Sequence, residues 1–360
     1  MNEPLIIRSY ALKVPKELGE KAIRLSVRMG LFHKGLKVKL DNGDLFVPLN
    51  RKPQSSHIED FKETLQQFNV VTQDFTVQVK RPRTAFEIAG DKLPAYLLAS
   101  FPRSIDFIGN IAIVEIPQEL EKHKRVIGEA ILEAHKQVRT VLAKSSPIRG
   151  VRRLREYEVI AGLPETETVH KEHGCIYHLD VYKVYFSPRL SHEHHRVASL
   201  VDENETVIDM FAGVGPFSIL IAKTKKDVKV YAVDVNPDAV RYLKKNILAN
   251  RVLDKVVPIL GDARKVIHQK LQGTANRVIM NLPEKAREYI DAACEALKPE
   301  GGIIHYYGFA EGPKPLEAAK DELTEVFAKQ NRRINKFLFA RTVREIAPFK
   351  WQVAVDISVS

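Results

Sequence analysis

A glycine-containing turn in the second half of the chain has the residue types to hold a nucleoside ligand. The segment Asp209-Met-Phe-Ala-Gly-Val-Gly215 follows an apolar run and places Gly213 and Gly215 at a tight turn. Glycine permits positive φ angles and a close approach of a ligand to the backbone. Asp209 can fix the turn and Phe211 can offer an apolar face. The spacing lacks the third glycine of Gly-x-Gly-x-x-Gly, which argues against a pyrophosphate-bearing ligand.

Two later aspartates fit the same chemistry. Asp234, followed by Val235, ends the next apolar run, where its carboxylate can accept hydrogen bonds from both hydroxyls of a ribose. Asp262, followed by Ala263, ends the run after that, within reach of an adenine amino group. Each aspartate alone is more often a helix cap. Their positions at successive strand ends after the glycine turn favour a nucleoside site.

The segment Asn281-Leu-Pro283 closes a fourth apolar run and is expected to face a substrate. Its structural alternative is a turn from strand to helix, with asparagine as the cap and proline at the first helical position.

These residues require a sheet that brings the ends of several strands together. Apolar runs alternate with helical patterns and predict parallel strands at 207–211, 228–234, 256–260, 277–280 and 302–306. We therefore predict an α/β fold with a doubly wound sheet, whose ligands bind at the carboxyl ends of the strands. The runs 336–343 and 351–359 are too close for a crossover helix and predict an antiparallel hairpin at the sheet edge.

Two smaller α+β domains are expected before this sheet. In the first, a helical pattern at 15–31 precedes a hairpin formed by 36–40 and 45–49. The second contains predicted strands and one predicted helix; the strands are 75–79, 111–116 and 151–159, and the helix is 118–142. We place the domains at 1–75, 76–172 and 173–360.

The charge balance is basic, with 56 Lys and Arg against 45 Asp and Glu in 360 residues, a formal net charge of +11. A polyanionic partner and a merely solvated basic surface explain this balance equally well. The middle region contributes Arg152, Arg153, Arg155 and several other cations. The two cysteines are far apart, and no apolar run has the length of a membrane span. We expect a cytoplasmic protein with neither a disulfide nor a membrane partner.

The glycine turn and the two aspartates resemble the signature of class I methyltransferases, and the terminal hairpin resembles that family's sheet. The resemblance implies S-adenosyl-L-methionine as cofactor, with Phe211, Gly213, Gly215, Asp234, Val235, Asp262, Ala263 and Asn281 around it. Asn-Pro-Pro-aromatic at the fourth strand is typical of methylation of exocyclic amines. Asn-Leu-Pro-Glu therefore indicates a different nitrogen or carbon.

Over essentially its whole length the chain resembles the archaeal and eukaryotic tRNA (guanine-37-N1) methyltransferases. The motifs are Val184-Tyr-Phe-Ser-Pro-Arg-Leu190 with Glu193 and Arg196, the glycine turn with Pro216 and Phe217, Asp234-Val-Asn-Pro237, and Asn281-Leu-Pro-Glu-Lys-Ala286. The resemblance implies that tRNA is the partner and that the leading domain grips it. We expect a monomer.

The resemblance also implies catalytic roles. Guanine N1 carries a proton, so a base is required; the resemblance assigns Glu193 to it and Arg153 to the charge on O6, with Arg155 as the alternative. Tyr185 and Asn281 would hold the extruded base, and Pro283 would shape its pocket. Tyr185 fits a core strand equally well, and Glu193 fits an exposed helix start. A metal site at His192, His194 and His195 is disfavoured, because successive helical positions point in different directions.

Three rival hypotheses remain. The first is a related wybutosine-pathway enzyme, which would transfer the aminocarboxypropyl group or methylate a tricyclic guanine derivative. The second is a noncatalytic tRNA-binding module. The third is a small-molecule methyltransferase, which gives the first two domains and the positive charge no role.

Overall fold

The computed structural model describes residues 5–78, 83–146, 155–330 and 332–360. The chain divides into two compact units, residues 1–83 and residues 84–360. In the described part of the chain, no helix is long and apolar enough to cross a membrane. Both cysteines are buried and unpaired.

The first unit is a four-stranded antiparallel sheet in the order β2-β3-β1-β4, with two helices packed on it. Its elements are β1 (Ile6–Pro15), α1 (Gly19–Arg28), β2 (Lys39–Asp41), β3 (Asp44–Leu49), α2 (Ser55–Leu65) and β4 (Asn69–Thr76). The predicted hairpin is present, and Asn42 and Gly43 at its tip take φ values of 49° and 86°. Positive φ at both turn positions matches the right-handed twist of the two strands.

The strand predicted at 75–79 is wrong in its position, since β4 covers Asn69–Thr76; residue 79 lies outside the described residues. β4 lies at the edge of the sheet and pairs with β1 alone. Most of its side chains are exposed or half-buried, so its sequence lacks the apolar alternation that would have marked it.

The second unit begins with a four-stranded sheet in the order β5-β6-β7-β8. Its elements are α3 (Ala85–Gly90), α4 (Ala95–Leu98), β5 (Ile105–Ile108), β6 (Ile111–Val114), α5 (Lys124–Ala134), β7 (Thr140–Lys144) and β8 (Tyr157–Gly162). β6 and β7 are parallel, and α5 connects them and packs on the sheet.

The helix predicted from 118 to 142 is wrong at its end. Helix α5 stops at Ala134, and Thr140–Lys144 forms the central strand β7. The apolar run Val141-Leu-Ala143 is buried throughout. Periodicity does not distinguish a short buried strand from a buried stretch of helix. The strand predicted at 151–159 begins at Tyr157, and 151–154 lie outside the described residues.

A seven-stranded sheet in the order β13-β12-β11-β14-β15-β17-β16 forms the rest of this unit. The hairpin β9 (Glu167–Glu172) and β10 (Cys175–Asp180) precedes it, and the expected boundary at 172–173 falls in the turn of this hairpin. The remaining elements are α6 (Ser191–Leu200), β11 (Thr206–Asp209), α7 (Pro216–Thr224), β12 (Lys229–Asp234), α8 (Pro237–Asn250), β13 (Val256–Leu260), α9 (Ala263–Val266), β14 (Arg277–Met280), α10 (Ile290–Ala296), β15 (Gly302–Glu311), α11 (Pro315–Phe327), β16 (Ile334–Ala347) and β17 (Lys350–Val359).

Strands β11 to β15 are mutually parallel, and β17 runs antiparallel to both of its neighbours. Successive residues of β11 belong to different cores. Val207 packs with α7 and α8, whereas Ile208 packs with α10 and α11. Helices thus cover both faces, because alternate strand residues point to opposite sides. The expected doubly wound sheet with its antiparallel terminal hairpin is confirmed.

Candidate active site

The glycine turn connects β11 to α7 with two positive φ angles. Gly213 has φ 55° and Gly215 has φ 92°. A Cβ atom on Gly215 would lie 2.5 Å from Cδ1 of Leu243, so a side chain there would clash with α8. The backbone N–H of Gly213 donates to Oδ2 of Asp234 at 2.7 Å. The turn therefore packs against α8 and is tied to the end of β12.

A cavity opens beside this turn, at the carboxyl ends of β11, β12, β13 and β14; we call it the nucleoside cavity. It brings together most of the predicted cofactor residues, namely Phe211, Gly213, Asp234, Val235, Asp262, Ala263 and Asn281. Tyr185 also lines it, although its predicted role concerns the substrate. Gly215 does not line the cavity and contributes to the turn instead.

Asp234 is held in place by the backbone. Its Oδ1 accepts from the N–H of Asn236 at 2.8 Å, and its Oδ2 accepts from Gly213. Burial raises the pKa of Asp234, and these backbone donors oppose the rise. A carboxylate has about four acceptor sites, so Asp234 can still accept from ligand hydroxyls.

Asp262 both caps a helix and lines the cavity. Its Oδ1 accepts from the backbone N–H of Lys265 at 3.2 Å, and its Oδ2 accepts from the Tyr289 hydroxyl at 3.2 Å. The Tyr289 ring meets the Phe211 ring edge to face, with 5.1 Å between centroids. Tyr289 also lines the cavity, and sequence reasoning missed it because no motif marks its position.

Asn281 provides a test of whether a cofactor fits. Its Oδ1 is buried and accepts no hydrogen bond from the described residues. A buried acceptor without a donor is costly, so the position is suited to a ligand that donates. Together with the two aspartates, this amide fits a nucleoside cofactor with an amino acid portion.

Asp209 lies below the turn, fully buried, and does not line the cavity. Burial, with a smaller contribution from the Asp234 carboxylate, raises its pKa to about 7. Its Oδ2 accepts from the Ser218 hydroxyl of α7 at 2.7 Å. Asp209 thus fixes the turn to the helix that follows.

A second cavity of about 380 Å³ adjoins the first and shares Tyr185, Phe186 and Ser187 with it; we call it the acceptor cavity. Arg155, Tyr157, Glu284 and Phe309 are among its other lining residues. The Nε of Arg155 is buried and makes no hydrogen bond within the described residues. Arg153 lies outside the described residues. The cavity offers aromatic faces and a guanidinium beside the nucleoside cavity.

Pro283 is buried and lines neither cavity. Leu282 on one side of it lines the nucleoside cavity, and Glu284 on the other side lines the acceptor cavity. Pro283 therefore fixes the backbone between the two cavities.

Glu193 is fully buried on α6, in contrast to the alternative of an exposed helix start. Its Oε2 accepts from Nε of Arg196 at 2.9 Å and from the Tyr307 hydroxyl at 2.8 Å. Nη2 of Arg341 lies 2.8 Å from Oε1 and forms an ion pair with it, but the orientation of the two groups does not make a hydrogen bond. Glu193 lines neither cavity in this conformation.

An ionic network extends from Glu193 across the sheet. Arg196 donates to both oxygens of Asp356 on β17, at 2.5 and 3.2 Å, and Nδ1 of His305 lies 2.7 Å from Asp356. Burial alone would raise the pKa of Asp356, but His305 and Arg196 lower it to about 2. Burial lowers the pKa of His305, and Asp356 opposes that shift. Sequence reasoning missed this network.

His194, next to Glu193 in sequence, contacts a different carboxylate. His194 lines the nucleoside cavity, and its Nδ1 lies 2.6 Å from Oε1 of Glu172. Burial raises the pKa of Glu172, but the contacts with His170 at 3.7 Å and His194 at 2.6 Å outweigh it and lower the pKa to about 2. Across the described ranges, no group of three or more His, Cys, Asp or Glu residues could hold a metal ion.

The strand order and the cavity at the ends of β11 to β14 define the fold class of the class I methyltransferases. Three family models match in succession: the tRNA methyltransferase 5 N-terminal domain at 11–57, the TYW2 N-terminal domain at 86–166, and the TRM5/TYW2 methyltransferase domain at 168–334.

The chain belongs to the TRM5/TYW2 family of methyltransferases. It is 41% identical over 352 residues to the tRNA (guanine(37)-N(1))-methyltransferase Trm5b of Pyrococcus abyssi, a match covering 98% of this chain and 99% of the relative. The tRNA 4-demethylwyosine(37)-methyltransferase Taw21 of Saccharolobus solfataricus is 37% identical, over 72% of this chain and 94% of its own length.

Solved structures agree with this membership. The complex of aTrm5 with tRNALeu matches with a TM-score of 0.71 and 33% identity, covering 97% of this chain and 99% of that one. Methanocaldococcus jannaschii Trm5 in complex with adenosine matches with a TM-score of 0.62 and 32% identity, covering 97% and 98%.

Proposed function

We propose that this protein transfers the methyl group of S-adenosyl-L-methionine to N1 of guanine 37, on the 3' side of the anticodon in tRNA. The observation that carries this function is the pair of adjoining cavities at the ends of β11 to β14, in a chain that matches Trm5b over almost its full length. The Taw21 match leaves more than a quarter of the chain uncovered, which favours Trm5-type activity over a wybutosine-pathway reaction.

The nucleoside cavity is the proposed cofactor site. Asp234 and Val235 would hold the ribose, Asp262 and Ala263 would hold the adenine, and Asn281 would accept a hydrogen bond from the amino acid portion. Phe211 and Gly213 would contact the nucleoside, and Gly215 would support their turn. When bound, S-adenosyl-L-methionine supplies an electrophilic methyl group on its sulfonium.

The acceptor cavity would receive the extruded guanine. Tyr185 lines both cavities and is placed to stack on the base. Asn281 would hold the base from the adjoining nucleoside cavity, and Pro283 would shape the pocket indirectly, through the backbone that it fixes between the two cavities. Glu193 lines neither cavity in this conformation, so the mechanism requires that tRNA binding bring it to the base. There it would accept the N1 proton on Oε1, the oxygen that accepts no hydrogen bond from the described residues. Arg153 would stabilise the negative charge that develops on O6.

The remaining domains would bind the RNA. We assign tRNA recognition to the first domain and further RNA contacts to the middle domain, in keeping with the aTrm5 complex with tRNALeu and with the net charge of +11. Some cations of the middle domain are already paired: Lys124 contacts Glu121 and Glu158. We also propose that the protein acts in the cytoplasm. We further propose that it acts as a monomer, and sedimentation velocity in the presence of tRNA would check this oligomeric state.

The decisive experiment uses unmodified tRNA transcripts and two labelled forms of the cofactor. We expect label from the methyl carbon to appear in 1-methylguanosine at position 37, and label from the carboxyl carbon to stay out of the RNA. A transcript with adenine at position 37 should accept little label. Carboxyl label in the RNA would instead establish aminocarboxypropyl transfer. Incorporation only into a tRNA that already holds a tricyclic base would establish the other wybutosine-pathway reaction.

A second prediction separates the two candidate arginines. Arg153→Gln should slow single-turnover methyl transfer by about 10²-fold, with tRNA affinity changed far less, because only the transition state carries the full charge on O6. Arg155→Gln is the matched neighbour, since Arg155 lines the acceptor cavity. If Arg155→Gln loses this rate and Arg153→Gln keeps it, the charge-stabilising role belongs to Arg155.

A further inference from the structure

We propose that Arg341, on the terminal hairpin, is a positioning residue that orients Glu193 for proton transfer. This inference rests on the proposed function, specifically on Glu193 as the general base.

Glu193 needs compensating charge because of its environment. Its side chain is 1% exposed, and a buried charge is unfavourable unless a charge of opposite sign lies beside it. The buried site therefore requires positive charge around Glu193.

Two guanidinium groups supply that charge from different elements. Arg196 contacts Oε2 from the same helix, and Arg341 on β16 approaches Oε1 at 2.8 Å. The other polar and charged groups around this carboxylate are His192 of α6 at 3.8 Å from Oε1, Tyr307 of β15, and Asp356 of β17, which acts through Arg196.

Arg196 also binds a second carboxylate, that of Asp356. It donates to both oxygens of Asp356, and its guanidinium stacks over the Phe339 ring, 4.3 Å from the ring centroid. Its charge is thus shared between two carboxylates. A second cation is needed to balance the two carboxylates, Glu193 and Asp356. Arg341 supplies it on the side of Glu193.

Arg341 is also the more exposed of the two guanidinium groups beside Glu193. Its side chain is 34% exposed, against 12% for Arg196. Oε1 of Glu193 accepts no hydrogen bond within the described residues, so its contact with Nη2 of Arg341 rests on charge and proximity. This arrangement leaves Oε1 free to accept a proton while its orientation is maintained.

A double-mutant cycle tests the inference with full-length protein under single-turnover conditions, with saturating tRNA and cofactor. Arg341→Met should slow methyl transfer about 10-fold or more, with dissociation constants for tRNA and cofactor changed less than about twofold. Arg341→Lys should restore most of the rate. In a Glu193→Gln background, Arg341→Met should change the residual rate by less than about twofold, because there is no longer a base to position.

Lys336→Met is the matched control, since Lys336 is an exposed cation on the same strand. It should leave the single-turnover rate near that of the unaltered protein. If Arg341→Met is too unstable to assay, Arg341→Gln and its combination with Glu193→Gln provide the same cycle, because glutamine also removes the positive charge.

The outcomes separate this inference from the proposed function. An equal slowing by Arg341→Met with and without Glu193 would overturn the positioning role, as would weaker tRNA binding at an unchanged rate. If Glu193→Gln alone transferred methyl groups at the normal rate, the assignment of Glu193 as the base would be wrong. The positioning role of Arg341 would then be wrong as well.

Discussion

Replacing Glu193 with glutamine is expected to slow single-turnover methyl transfer by about 10²-fold or more while leaving cofactor affinity nearly intact. Glutamine has almost the same shape and can still accept from Arg196 and Tyr307, but it is a very poor proton acceptor. Cofactor affinity should persist because Glu193 does not line the nucleoside cavity. Rapid quenching with labelled cofactor gives the rate, and equilibrium binding gives the affinity.

The control for this prediction is Glu317→Gln, which removes a carboxylate from an exposed ion pair with Lys314 on the surface of α11. Its rate should stay within about twofold of the unaltered protein. Thermal denaturation of both variants separates loss of catalysis from loss of fold, which matters because Glu193 is buried. An unchanged single-turnover rate in Glu193→Gln would rule out the base assignment.

The parts of the structure that depend on local sequence were predictable. Strands β12, β13 and β14 were placed within one residue of their observed bounds, because each is a short apolar run between polar turns. The glycine turn was equally accessible, since positive φ at Gly213 and Gly215 is a property that glycine itself supplies.

Competing local signals explain the error at β7. The residues of β7 are an apolar run that fits a helix or a strand, and only pairing with β6 and β8 decides between them.

Asp262 fits both of the roles that its sequence position allowed, since it caps α9 and also lines the nucleoside cavity. The helix-cap role and a place in the ligand cavity are therefore not exclusive alternatives for this aspartate.

The network behind Glu193 was beyond the reach of local patterns. Arg196 and Asp356 are 160 residues apart in sequence. They meet because β17 inserts between β15 and β16 in the sheet, which carries Asp356 to α6. No spacing rule links such residues, so the partners that hold the proposed base were visible only once the strand order was known.

Replacing Asp356 with alanine should therefore be the most damaging of these changes for stability, with a loss of about 3–5 kcal/mol in the free energy of unfolding near pH 7. The substitution leaves Arg196 and His305 in the interior without their shared carboxylate. Asp356→Asn should cost less, because an amide oxygen can still accept from Nδ1 of His305. Urea denaturation gives the free energies, and Glu317→Ala at an exposed ion pair should cost less than about 1 kcal/mol.

The difference between the unaltered protein and Asp356→Ala should shrink in acid. The pKa of Asp356 is about 2 in the folded protein, below its value of roughly 3.9 in an unfolded chain. Its stabilising contribution is therefore present above about pH 4 and is lost as the pH falls from there toward about 2, by roughly 2.5 kcal/mol in total. Comparing the two proteins at each pH cancels the opposite trend of Asp209, whose raised pKa of about 7 makes the fold less stable as the pH rises from about 4 to about 7. A stability difference that stayed constant from about pH 7 to about pH 3 would mean that the Asp356 carboxylate is not what anchors β17 to α6.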